Sequence, residues 1–371
     1  MRDVIIIGGG VSGLVNASIL SSSGIDVLLI EKKSYPFHRV CGEYVSNEAV
    51  PFLRTLGLYP EELNPPKIGR LLLSSASGAI IQEKLESGGF GITRYSLDFF
   101  LYQKAKERGA EIREGVSVLD VSYNDDHFTA QLSDGTVKKA KIVIGCYGKR
   151  ANLDRTLSRD FFQKQSPYMG VKYHIKLPNY PKDLISLHNF SKGYCGISAV
   201  EDDKLCFCYL TDKENMKGLR SIKDMEKEVL SQNPFLRKVF ADAEFLHKRP
   251  YTINAISFSD KKVIENHVLM CGDTAGMITP LCGNGMAMAI HSAKILSELV
   301  VKFFNNEIDR SVLEEAYELA WTKLFSSRVK AGRLLQKLMS QPMLSNISVA
   351  LLKNLPYLPS FVIKQTHGKP F

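Results

Sequence analysis

An α/β chain is predicted, in which a doubly wound parallel-sheet unit is interrupted by an antiparallel sheet and followed by a helical segment. Three observations predict it. Residues 3–31, DVIIIGGGVSGLVNASILSSSGIDVLLIE, read as strand, glycine loop, helix and strand, a Rossmann-like βαβ unit. Short β-prone runs downstream, such as LCFCYL at 205–210, suit an antiparallel sheet. From Ser311 onward the pattern is helical, with Pro342, Pro356 and Pro359 as interruptions.

Composition agrees with a folded chain. The 371 residues are 44% hydrophobic and 23% charged, and at about 100 to 200 residues per domain they suffice for two domains or one discontinuous unit. Forty-eight Lys and Arg against 39 Asp and Glu leave a net charge of +9, which favours anionic ligands or surfaces and names none. No nucleic-acid-binding motif accompanies that charge, so nucleic acid is not an expected partner. Seven cysteines, with no CxxC pair, imply neither a disulfide framework nor a metal site. No apolar run approaches the ~18 residues of a membrane span, and Val4–Ile7 is too short for a signal-peptide core. A cytoplasmic protein is expected, with peripheral contact at the inner face of a membrane as a further expectation.

Gly8, Gly10 and Gly13 fit GxGxxG: the first for the tight turn, the second for close approach of a pyrophosphate, the third for helix packing on strand. Glu31 ends the second strand, where a carboxylate can hold a ribose diol. These features leave NAD and FAD open. Residues 268–300, VLMCGDTAGMITPLCGNGMAMAIHSAKILSELV, add a short strand, Gly272 and Asp273 at its end, and a glycine loop before a helix with an apolar face at Ala289, Ala293, Leu296 and Val300. Amides at such a helix N-terminus make an anion site.

Together these stretches resemble the FAD-dependent oxidoreductases of the glutathione-reductase-like superfamily. The branch is that of geranylgeranyl reductases, aromatic-ring hydroxylases and flavin-dependent halogenases, and the likeness is closest to the geranylgeranyl-reductase-like group. The segment after Cys271 matches that branch's GDAAGxxxPxxGxGxxxA almost throughout. The resemblance implies FAD as cofactor, with Asp273 on the ribityl chain and Pro280, Gly283, Asn284, Gly285 and Met286 on the pyrimidine side. RVCGEYVS at 39–46 falls where the group carries a loop beside the flavin, which implicates Arg39, Cys41 and Gly42, with Glu43, Tyr44 and Cys41 as candidate catalytic residues. Arg94 resembles the arginine that meets the pyrophosphate, and Val118 falls where the family meets adenine. Gly148 closes a GCYG turn in which Tyr147 replaces the acid of the hydroxylases' GADG. That departure argues against hydroxylase-type handling of NADPH. The YxWxFP region of geranylgeranyl reductases aligns with residues 193–210, without its Trp and Pro.

The expected FAD domain is discontinuous, residues 1–65, 91–155 and 259–300. Residues 66–90 and 156–258 form an inserted substrate domain, and 301–371 a C-terminal helical segment. With one GxGxxG only, NAD(P)H is expected to visit as a transient electron donor. The expected activity is reduction, or another redox change, of an apolar lipid-like or polyketide-like small molecule; FAD-dependent monooxygenation of an aromatic substrate is the alternative. Cys41 and Cys282 could lie together over the flavin as a redox pair. Cys206 and Cys208 are expected on opposite faces of their strand, and His174, His188, His247 and His291 in structural roles. Leu344, Ile347, Leu351 and Leu355 form one stripe, which either packs on the substrate domain or serves as a cover or membrane contact.

Overall fold

The computed structural model describes residues 1–163, 166–355 and 357–371. The strand Arg2–Ile7 lies between Val27–Glu31 and Val137–Gly145, parallel to both, with Ile5 in register with Leu28 and Val143. Val268–Met270 and Glu111–Glu114 extend the parallel core at its two ends. Val4, Ile5 and Ile6 are completely buried, which explains why these strands are uniformly apolar rather than alternating. The helix Val11–Ser22 packs against both Arg94–Glu107 and Gly285–Phe304. A hairpin joins His127–Leu132 to Val137–Gly145 in antiparallel register, with Gly135 at positive φ in its turn.

The second sheet runs from Glu244–Phe245 through Tyr168–Lys176, Leu205–Asp212, Gly193–Ala199, Leu184–Phe190, Lys67–Ser74 and Ile80–Gly91 to Tyr44–Ser46. Neighbours are antiparallel except Leu184–Phe190 with Lys67–Ser74. Tyr44–Ser46 belongs to this sheet although the sequence groups it with the nucleotide unit. Its pairing with Ile80–Gly91 is therefore what carries the 39–46 loop from one sheet to the other.

The long helix Arg310–Met339, capped by Asp309 accepting from the Val312 amide at 2.9 Å, fastens to the first sheet where the Tyr317 hydroxyl donates to the Met270 carbonyl at 2.8 Å. Pro342 and Pro359 stand at breaks in the helical pattern and fall in the first turns of new helices, Pro342–Asn354 and Leu358–Thr366, because the first turn needs no proline N–H; Pro356 lies outside the described residues. On Pro342–Asn354 the buried side is Ser345, Val349 and Leu352. Val349 and Leu352 pack with Leu73 and Ile81 of the second sheet. The stripe through Ile347, Leu351 and Leu355 faces out instead.

Candidate active site

Gly8 sits at φ +101°, and a side chain there would place Cβ 2.5 Å from the Cys146 carbonyl oxygen; at Gly13 it would lie 2.0 Å from the Gly8 oxygen. Only glycine fits either position. At Gly10 the nearest atom to such a Cβ is Arg94 Nη2, 3.6 Å away, so this face of the loop borders space across from a guanidinium. The helix Val11–Ser22 starts there without a side-chain cap or an acid in its first turn, as does Gly285–Phe304. Both N-termini therefore offer amides and a positive dipole end to an anion.

Around this mouth runs a chain of charges. Glu31 accepts from the Gly9 amide at 2.8 Å, the Lys33 amide at 3.1 Å and Arg39 Nη2 at 3.0 Å. Arg39 also reaches Asp98 through Nε at 3.0 Å, and Arg94 grips the same carboxylate twice, at 2.7 Å through Nε and Nη2. Burial disfavours the charge of Arg94, but Asp98, with Cys41 and Asp273 adding, outweighs it and holds the guanidinium protonated. The 39–46 loop, the Arg94 helix and the Gly272–Asp273 turn thus converge on one cation. Asp98 was not anticipated; its signal is the i,i+4 spacing from Arg94. The Val116 amide donates to the Glu31 carbonyl at 3.3 Å, which sets the start of the Val118 strand beside the end of the Glu31 strand.

Glu43, at positive φ and fully buried, anchors the 39–46 loop. Its carboxylate accepts from the Lys172 ammonium, from His174 Nε2 at 2.7 Å and from the Arg94 amide at 2.8 Å. Burial alone would raise its pKa; Lys172 and His174 overcome that and hold it at about 2. A carboxylate so held is an acceptor that positions Arg94. The Lys172 ammonium also donates to the Arg39 carbonyl at 3.1 Å. Cys206 and Cys208, expected on opposite faces, share one, because strand side chains repeat every two residues. They pair in register with His174 and Lys172, and the Cys206 thiol reaches the Cys41 carbonyl at 3.3 Å. The Ser198 hydroxyl holds the Gly42 carbonyl at 3.2 Å, while Gly42 itself borders open space.

The Asp273 turn is held from beneath. Thr274 Oγ1 accepts from the Gly148 amide at 2.8 Å, which joins the GCYG turn to the Asp273 turn; Gly148 also has open space where a side chain would stand. Arg159, nearly fully buried, donates to Asp154 at 3.0 Å and to the carbonyls of Lys262 and Thr274 at 2.8 and 3.0 Å. Lys261 donates to the carbonyls of Asp273 and Lys149 at 2.7 and 2.8 Å, and burial pushes its ammonium down to about 8. Tyr147 contacts Met270 and receives Arg159 Nη1 at 3.4 Å. Arg159 and Lys261 carried no motif signal in the sequence.

Pro280–Cys282 forms a single turn ending at Gly283 in the left-handed region, where a Cβ would lie 3.2 Å from the Tyr44 ring. Tyr44 therefore closes against this loop, its phenol kept protonated by burial and by Glu48. Met286 is buried in the first turn of its helix. Asn284 is buried, donates to the Thr366 carbonyl at 2.7 Å and leaves its Oδ1 without a hydrogen bond among the described residues. Cys41 and Cys282 are both free thiols; Cys282 lies 3.4 Å from the Thr279 hydroxyl, and burial raises it to about 11. Tyr194 packs with Leu210, Ile256 and Met277. His188 stacks on Phe235 and His291 on Phe371.

Beyond Tyr44, Cys282 and Gly283 opens a cavity of about 250 Å³ between the second sheet and the C-terminal helices. Its walls are almost wholly aliphatic, among them Leu73, Leu85, Ile185, Leu352 and Val362. Past His367 the chain is tied down at Glu48, where the Gly368 amide donates to the carboxylate and the Phe371 amide to the carbonyl at 3.1 Å.

Two uncapped helix N-termini, one of them facing Arg94, glycines bordering open space and an unpartnered buried acceptor fit a dinucleotide that ends in a polar heterocycle. Comparisons with known proteins agree. A conditioned medium factor receptor of Dictyostelium discoideum is 24% identical over 82% of this chain, which spans 64% of that protein, less than two thirds of its length. A digeranylgeranylglycerophospholipid reductase of Methanosarcina acetivorans is 25% identical over 86% of this chain and 80% of its own. Among solved structures, a myxobacterial chondrochloren halogenase, described as FAD-dependent, has the same fold with a TM-score of 0.79, at 17% identity, over 100% of this chain and 94% of its own. The family described as FAD binding domain matches residues 1–320, and the chain belongs to that family.

Proposed function

We propose that this protein is an FAD-dependent oxidoreductase that reduces, or otherwise redox-modifies, an apolar lipid-like or polyketide-like small molecule held in the aliphatic cavity. The observation that carries the reading is the continuity of that cavity with Tyr44, Cys282 and Gly283 of the two flavin-side loops. Bound FAD supplies two-electron exchange with a carbon centre. The chain supplies the rest. Gly8, Gly10 and Gly13 would admit the pyrophosphate, Arg94 and the helix Val11–Ser22 would meet its charge, Glu31 would hold the ribose and Asp273 the ribityl chain. Val118 would meet the adenine, and Asn284 and Met286 the heterocycle. Tyr44 borders both cofactor loop and cavity and orients the substrate's reacting end. The leucine and isoleucine walls exclude water from it. NAD(P)H is proposed as a transient donor, since the sequence holds one GxGxxG, and the cytoplasm as the location.

The test is steady-state turnover of FAD-loaded protein with NADH or NADPH and a polyprenyl lipid, with and without oxygen. Saturation of a carbon–carbon double bond without oxygen supports the reading. Substrate-coupled oxygen consumption with hydroxylated product transfers the protein to the monooxygenase alternative, and tight FAD binding with no turnover of either kind leaves a flavin-binding protein.

A further inference from the structure

The C-terminal helices present an apolar face to solvent. On Pro342–Asn354 the residues Met343, Ile347 and Leu351 recur every fourth position and so share a side, with exposures of 74%, 53% and 50%. Leu355, Tyr357 and Phe361 add 48%, 88% and 58%. Charge is concentrated in the same segment. Residues 319–371 contain eight Lys and Arg and no Asp or Glu, against a net charge of +9 for the whole chain. Arg328, Arg333 and Lys364 are matched by Glu48, Asp260 and Glu86. Lys330, Lys337 and Lys353 are exposed and without an ion pair among the described residues.

We propose that this face docks on an anionic lipid bilayer. Exposed apolar side chains in a segment that also carries exposed, unpaired lysines are matched by acyl chains below a layer of phosphate headgroups. A second copy is matched poorly, because each would bring the same excess of positive charge to the contact. No helix among the described residues is long and apolar enough to cross a membrane, so the contact is peripheral. Leu351 belongs to two surfaces: it is half exposed and it lines the cavity. Docking therefore sets the cavity wall against lipid and lets an apolar molecule pass between bilayer and site without crossing water. That role rests on the apolar-substrate reading; the docking does not.

Vesicle flotation of the FAD-loaded full chain tests it, with phosphatidylcholine vesicles and with vesicles containing phosphatidylglycerol, at increasing salt. The protein should float with the anionic vesicles and be released as salt rises. Lys337→Gln and Lys353→Gln should each weaken partitioning about fivefold. Ile347→Glu with Phe361→Glu should abolish it, with flavin absorbance unchanged because both side chains lie outside the site. Wild type that stays unbound to anionic vesicles at low salt overturns the proposal. So does a wild-type dimer that Ile347→Glu dissociates in the absence of any vesicle binding. Absent flotation with turnover of a detergent-dispersed substrate intact refutes docking alone, and flotation without turnover refutes the catalytic reading alone.

Discussion

Glu43→Gln removes one charge from a fully buried cluster whose remaining members, Lys172 and His174, are themselves at most 2% exposed. Two routes give the cost. A carboxyl held at about 2 rather than its ordinary 4.5 contributes roughly 3 kcal/mol to folding at neutral pH. Removing one partner of a buried ion pair costs about 3–5 kcal/mol, because the other charge is left uncompensated. The sign follows from the depressed pKa. The contribution is fully present above about 4.5 and is lost as pH falls toward and through about 2. Urea unfolding of wild type and variant at pH 7 should therefore differ by about 3 kcal/mol, and the gap should shrink to roughly half by pH 3. FAD affinity should fall with it, since the Arg94 amide loses its carboxylate. A gap below about 1 kcal/mol at pH 7, or one that does not narrow in acid, would refute the account of the cluster.

Gly13→Ala should abolish FAD retention and the visible absorbance, because its Cβ meets the Gly8 oxygen, whereas Gly69→Ala, with open surroundings, should bind FAD as wild type does. Arg159→Met, which removes the ion pair of Asp154 and the donors to the carbonyls of Lys262 and Thr274, should cost about 3–5 kcal/mol in denaturant unfolding; a loss under about 1 kcal/mol would contradict its role as a staple. Ile185→Trp should fill part of the cavity and raise KM for an apolar substrate about tenfold or more, with the flavin spectrum unchanged. An unchanged KM would place the substrate elsewhere.

What was legible in the sequence is what local spacing encodes. Gly8, Gly10, Gly13 and Glu31 lie within one βαβ unit, so their roles follow from the turn and strand that carry them, and the Gly272–Met286 loop is likewise a single strand–turn–helix. The partners that hold these loops in place were not legible, because they arrive from distant segments: Lys172 and His174 to Glu43 across more than a hundred residues, and Arg159 to Thr274. Three basic residues alternate along the strand YMGVKYHIK, Lys172, His174 and Lys176, and were the available sign, yet nothing local names Glu43 as the partner of the first two. The C-terminal stripe shows another limit. Pro342–Asn354 has apolar residues on two sides, and periodicity cannot choose between them; the sheet does, by packing on Val349 and Leu352. Tyr44–Ser46 moved to the second sheet for the same reason, since three residues have no pattern of their own and pair where Gly89–Gly91 leaves an edge.

The most direct test of the central claim is anaerobic single turnover: reduced, FAD-loaded protein mixed with a polyprenyl lipid, with flavin reoxidation followed by its visible absorbance. The account predicts reoxidation matched mole for mole by saturated product in wild type, and much slower reoxidation in Ile185→Trp at the same lipid concentration. Reoxidation that requires oxygen, or that proceeds equally fast with the cavity filled, would contradict it.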